Sequence, residues 1–167
     1  MSTITQPLRD EHQELFPHIE SLRQAGDLIS NHPTPSTIEG VQTAYRFLTH
    51  HLIPHAQAED KALYPVVQKV MGASQATATM SRDHVEVGRL TDELGGFQAV
   101  VNQPSITTEQ AQALRRILYG LYTLVKVHFA KEEEIYLPLL DANLTAADAA
   151  EMFSAMEAAA HEARERH

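Results

Sequence analysis

The chain has no cysteine among its 167 residues. That absence excludes disulfides, thiolate zinc sites, iron–sulfur clusters and cysteine nucleophiles. Any chemistry falls to imidazole, carboxylate or phenol groups, a donor set suited to hard or borderline metals. Met1 to Asp10 hold no basic stretch followed by an apolar run, so no secretory signal is read there, and no segment approaches the length of a membrane span. A cytoplasmic protein with no membrane partner is expected. Basic residues are the minority, 13 Lys and Arg against 22 Asp and Glu, and the resulting charge of −9 disfavours nucleic acid. No low-complexity linker interrupts the chain. With 43% hydrophobic residues to build a core, residues 1–167 are expected to form a single domain.

What the chain does have is apolar periodicity of the helical kind, throughout. Behind Thr5 and Pro7, the residues Leu8, His12, Leu15, Ile19 and Leu22 alternate by four and three, one inward stripe on a helix. A break at Asn31–Pro35 precedes Ser36-Thr37-Ile38-Glu39, which has the form of a capping box. The stripe that follows is Val41, Tyr45, Leu48, Leu52, His55, Glu59, Ala62, Val66. Gly72 is expected to close that helix and Ser74 to cap a third, with the stripe Met80, His84, Val87, Thr91, Leu94. Thr107 and Gln110 form another capping-box pattern before Leu114, Leu118, Leu121, Val125, His128, Glu132, Ile135, Leu139. The fold class is therefore all-α, an up-down-up-down four-helix bundle over about residues 6–141. An additional C-terminal helix over about 145–165, carrying Met152, Phe153 and Met156, is expected to pack on the outside or in an oligomer contact, in a monomer or homodimer. Pro17, Pro54, Pro65 and Pro138 argue for bends or helix ends.

One short pattern occurs twice. His55 and Glu59 recur as His128 and Glu132, each pair displaced by 73 residues (128 − 55; 132 − 59), and lone histidines His12 and His84 stand 72 apart (84 − 12). Residues four apart share a helix face, so each His-x-x-x-Glu copy presents an imidazole and a carboxylate to the bundle axis. Four imidazoles and two carboxylates then converge at one level of the core. Two buried carboxylates without counter-charge cost several kcal/mol each, so cations belong between them. Taken alone, a core histidine is more often a packing residue, and a metal-free hydrogen-bond network remains the alternative for the set; the duplication in register favours metal. Ferritin-like sites need Glu-x-x-His and zincins His-Glu-x-x-His, and both are absent.

With these residues in place the sequence resembles the hemerythrin-like, or HHE cation-binding, domains, whose pattern is H…HxxxE…H…HxxxE. The resemblance covers approximately Leu8 to Leu140. It implies a non-haem centre of two iron ions, carboxylate-bridged and open to an oxo or hydroxo bridge, with manganese or zinc behind iron. His12, His55, His84 and His128 match the terminal imidazole ligands, and Glu59 and Glu132 the bridging carboxylates. Two departures separate the chain from the family's oxygen carriers. Gly88 stands where they place a further histidine, and their fourth-helix carboxylate is an aspartate five residues on instead of Glu132. The shell is then one imidazole short, leaving an open or water-filled position or calling on another side chain.

His51, one turn before His55 with Pro54 between, is the candidate to complete the shell, its alternative being a supporting or surface role. His50 and His18 are weaker candidates. His32, His161 and His167 are expected to face solvent. Tyr64 and Tyr136 are placed either to hydrogen-bond the carboxylates or to pack, with packing preferred for both, and Glu133 and Glu134 have the alternative of a solvated acidic face. The resemblance implies a small-molecule partner, dioxygen, hydrogen peroxide or nitric oxide. Either the site turns it over, as a peroxidase, a catalase-like or a nitric oxide-consuming enzyme would, or it carries or senses dioxygen or iron without turnover. A bundle with an adventitious metal is the remaining alternative.

Overall fold

The computed structural model describes residues 3–166; Met1, Ser2 and His167, whose expected solvent position goes with it, lie outside them. Five long helices account for nearly all of the described chain, with no strand among the described residues. They are α1 (Gln6–Asp27), α2 (35–71), α3 (Ala78–Phe97), α4 (108–143) and α5 (Ala146–Glu165). No helix among the described residues is long and apolar enough to cross a membrane.

The helix boundaries follow local chemistry, with two shifts from expectation. Thr34, not Ser36, caps α2: its hydroxyl accepts from the Thr37 N–H while Thr37 reaches back to the Thr34 N–H, and Pro35 takes the first helical position. Ser74 does not cap α3, which starts after Thr77, whose hydroxyl instead accepts from Gln68 at 2.7 Å. Gly72 closes α2 at φ 64°, a left-handed conformation that an L side chain rarely adopts. The Thr107–Gln110 box and a Thr145–Asp148 box open α4 and α5.

The prolines do not end their helices. Pro17 lies inside α1, and three others each follow a π-helical turn: Leu48–Leu52 before Pro54, Glu59–Leu63 before Pro65, and Glu132–Tyr136 before Pro138. A ladder that must lose one N–H to proline shifts locally to i→i+5 pairing, and the helix continues. Each such turn holds one residue more than the α period, and past the second and third the inward stripe slips by one from the expected one. Beyond Glu59, Val67 is buried where Val66, only half-buried, was expected; beyond Glu132, Tyr136, Leu137 and Leu140 are buried, while Ile135, expected inside, is 56% exposed.

Buried side chains form two apolar clusters. One draws on Leu15, Ile19 and Leu22 of α1, on Val41 to Leu52 of α2, on Val87 to Leu94 of α3 and on Leu114 to Phe129 of α4. The other draws on Leu8, Ala58 to Val67, Met80, Tyr136 to Leu140, and α5. In every one of the first four helices, the residues singled out by the sequence fall where the chain passes between these clusters. Helix α5 turns Ala149, Met152, Met156, Ala159 and Ala163 inward and packs on residues 53–63 of α2, so this face is covered within the chain.

Candidate metal centre

His12 and His55 are each 4% exposed, His128 is likewise buried, and Glu59 and Glu132 are fully buried, two carboxylates with no arginine or lysine beside them. Their neighbours are the four imidazoles. Glu59 Oε1 lies 2.8 Å from His55 Nε2 and 3.8 Å from His12 Nε2, while its Oε2 lies 3.1 Å from His84 Nε2 and 3.7 Å from His128 Nε2. Glu132 turns Oε2 to His12 Nε2 at 3.2 Å and Oε1 to His128 Nε2 at 2.7 Å. Each carboxylate thus offers one oxygen to each pair of imidazoles.

Two overlapping groups result, His12, His55, Glu59, Glu132 and Glu59, His84, His128, Glu132; within each, the donor atoms all lie within 4.8 Å of one another. Proximity here is not hydrogen bonding. His12 Nε2, His55 Nε2, both oxygens of Glu59 and Oε2 of Glu132 are buried with no hydrogen-bond partner. Buried polar atoms are almost always satisfied, and leaving one unpaired costs about 1–3 kcal/mol, more if charged. Orphans aimed at common points between imidazole nitrogens and carboxylate oxygens fit cations, and this donor set suits iron, manganese or zinc.

The electrostatics agree. Burial disfavours a charged His12, yet the neighbouring carboxylates of Glu132 and Glu59 outweigh it and push the pKa up to about 9. For His128 the same opposition, burial against Glu132 and Glu59, ends at about 10. His55 is raised well above its usual value, against burial, by Glu59 and Glu11. Burial would raise Glu59, but His55, His12 and His128 hold it well below the carboxylate range. Without metal, the two carboxylates recruit protons onto the imidazoles; a cation supplies the same charge.

Each imidazole is held from behind by a carboxylate that the sequence reading did not single out for this role. His55 Nδ1 lies 3.0 Å from Glu11, His84 Nδ1 2.8 Å from Asp60, His128 Nδ1 3.0 Å from Asp83, and His12 Nδ1 2.7 Å from Glu133. Glu133 is therefore no solvated residue, and it also accepts from Arg9 at 2.6 Å. A signal was available. Glu11 and Asp83 precede the lone histidines 72 residues apart (83 − 11), and Asp60 and Glu133 follow the glutamates 73 apart (133 − 60), the register of the ligands themselves.

Tyr64 takes the less favoured of its two readings and hydrogen-bonds a carboxylate. Its N–H donates to the Glu59 carbonyl across the π turn, which sets it over Glu59, and its hydroxyl donates to Glu132 Oε1 at 2.8 Å, 3.2 Å from His128 Nε2 and 3.4 Å from His84 Nε2. Burial, then the charges of Glu59 and Glu132, push its pKa far up, so without a cation the phenol keeps its proton. Five residues along an uninterrupted α-helix would leave it about 140° from Glu59, and only the π turn brings it in. Tyr136 packs as expected, donating to the Ala76 carbonyl at 3.1 Å.

His51 takes the surface alternative. It is exposed, its ring lying parallel to that of His18 at 6.5 Å, and it belongs to neither donor group; the π turn ahead of Pro54 leaves it outside. His50 and His18 are also exposed, as are His32 and His161. Gly88 faces open space where a Cβ would stand.

A helical bundle with a buried histidine–carboxylate cluster, fit for cations, defines a metal-binding protein. The family model of the hemerythrin HHE cation-binding domain matches residues 3–140, and the chain belongs to that family. Neither a curated protein nor a solved structure matches the chain.

Proposed function

We propose that the chain is a single-domain non-haem di-iron protein of the cytoplasm, its four long helices running up-down-up-down around the centre. Alternation of the two apolar clusters along successive helices supports that topology: α1 and α3 pass from the α5-side cluster to the other, and α2 and α4 return. One observation carries the metal reading, the five orphaned donor atoms of His12, His55, Glu59 and Glu132 converging in the core. Each donor group would hold one ion, and Glu59 and Glu132 would be shared between them, since each already splits its two oxygens between the imidazole pairs. Manganese or zinc in the same positions is the lesser alternative.

Iron held this way supplies one-electron chemistry toward dioxygen, peroxide or nitric oxide. The chain's own contribution is positional. Nδ1 of each histidine is committed to a carboxylate, which leaves Nε2 for the centre. Tyr64 fills, on the His84 and His128 side, the place for which His51 was considered, and its hydroxyl holds a proton 2.8 Å from Glu132. Leu52, Val87, Val125 and Phe129 wall a cavity of about 10 Å³ against His55, His84 and His128. That is space for about one water-sized molecule, which favours a diatomic ligand or peroxide over an organic substrate.

Metal analysis of the purified protein, with consumption of hydrogen peroxide and of nitric oxide against an equal amount of free iron, tests the reading. Two irons per chain and turnover above the free metal are expected. A metal content of one or fewer under saturating iron defeats the two-ion centre. A full centre that binds dioxygen reversibly, with neither activity, points instead to carriage or sensing.

A further inference from the structure

The four carboxylates behind the imidazoles form a closed ring, and its direction is regular. Glu11 of α1 meets His55 of α2; Asp60 of α2 meets His84 of α3; Asp83 of α3 meets His128 of α4; Glu133 of α4 meets His12 of α1. In each helix the supporting acid is the immediate sequence neighbour of one of that helix's own candidate ligands, yet it serves the next helix. Adjacent residues point about 100° apart around a helix axis, so a ligand aimed at the bundle centre places its neighbour at the seam with the adjoining helix. The duplication then makes four seams from two.

We infer that Glu11, Asp60, Asp83 and Glu133 are positioning residues that work in this cyclic order, each fixing the ring orientation and tautomer of the next helix's histidine, so that the centre is assembled by pairs of helices and not by single helices. Two of the four are themselves anchored by cations. Lys131 binds Asp83, and Arg9 binds Glu133 while also reaching Asp141. Asp60 accepts from Ser81 at 2.6 Å, and Glu11, 48% exposed at its side chain, has His55 as its partner. A carboxylate on Nδ1 raises the basicity of Nε2 and stops the ring from rotating, and loss of such a partner costs about 10–100-fold in metal affinity. The ring rests on the metal reading only for that last effect. The hydrogen bonds stand without it.

The experiment is a cross-helix assignment on protein labelled with ¹⁵N at histidine, loaded with zinc as a diamagnetic probe and also kept metal-free. Asp83→Asn is expected to move the Nδ1–H resonance of His128, on another helix, while leaving that of His84, its own sequence neighbour. Asp60→Asn should move His84 and leave His55. Zinc affinity should fall about 10–100-fold in each, with the helical circular dichroism and the melting curve of the metal-free protein retained. Glu134→Gln, next to Glu133 on the exposed side, should move neither readout. If Asp83→Asn moved His84 in place of His128, or moved neither, the ring would be overturned. If the unaltered protein bound no zinc or iron while the metal-free resonances responded in the cyclic pattern, the metal reading would fail and the ring would stand.

Discussion

The two donor groups look like copies and are not. Ligands and supporting acids repeat at 72 or 73 residues, yet two contacts break the correspondence. Tyr64 projects its hydroxyl among His84, His128 and Glu132, and the residue 73 further on is Leu137, which cannot donate or coordinate. Phe129 stacks on His12, ring centres 4.2 Å apart, and the residue 73 earlier is Ala56. The His12/His55 group is thus walled by an aromatic face, while the His84/His128 group has a phenol oxygen at hand. The repeat extends to the candidate ligands and their supporting acids. It leaves free what an ion meets next, and reactivity is expected to differ between the two positions.

Shared residues should matter most. Glu59→Gln keeps the shape but removes one of the two carboxylate charges that both groups share, so metal analysis is expected to find both positions largely empty, whereas His12→Ala should lose about half the metal and spare the His84/His128 group. If His12→Ala emptied the protein as completely as Glu59→Gln, the two groups would be one inseparable site and the comparison would fail.

Removal of all metal comes next. A ligand held by the native state alone stabilises it by about 2.7 kcal/mol at a free concentration 100 times Kd. For a chain of this length that corresponds to roughly 5–10 °C in melting temperature, read by thermal unfolding with and without a chelator. An unchanged midpoint would mean the orphaned donors of Glu59 and Glu132 are satisfied some other way.

Tyr64→Phe addresses the asymmetry directly. It removes one hydrogen bond to a charged acceptor, worth about 1.5–3 kcal/mol, from one group only. Stepwise metal titration should show one weakened position and one unchanged. Equal weakening of both would show that Glu132, to which Tyr64 donates, transmits the loss across the centre.

How much of this was legible beforehand divides by the period of the helix. Wherever the 3.6-residue repeat holds, the stripes are right: Leu8 to Leu22 in α1, Met80 to Leu94 in α3, Leu114 to Glu132 in α4. The six candidate ligands come together as read. Errors start at the π turns after Glu59 and Glu132, where Val66, Ile135 and Leu139 were expected inside and Val67, Tyr136 and Leu140 are there instead. Packing was preferred for Tyr64 for the same reason, and the prolines six residues after Glu59 and Glu132 were the visible trace of the cause. The supporting acids were missed differently. Position 133 points away from the axis, and a carboxylate there reads as solvated until the neighbouring helix is known to bring His12 beside it.

The smallest effect concerns how the His12 side is anchored. Thr5 precedes α1 with no local side-chain cap, and Asp141 of α4 supplies one from across the fold: its Oδ1 accepts from both the N–H and the hydroxyl of Thr5 at 2.9 Å, and its Oδ2 from Arg9 at 3.1 Å. Burial would raise the Asp141 pKa, but those Thr5 and Arg9 hydrogen bonds outweigh it and hold it below the usual value. A depressed carboxylate contributes stability above its unfolded pKa and loses it as pH falls through the folded one. Asp141→Asn is therefore expected to cost about 1 kcal/mol at pH 7, in denaturant unfolding of the metal-free protein, with the difference from the unaltered chain shrinking as the pH is taken below about 4. Because Arg9 also holds Glu133 behind His12, the same substitution should weaken the His12/His55 position slightly more than the other. A difference that grew on acidification would mean that Asp141 does not act as the ionised cap of α1.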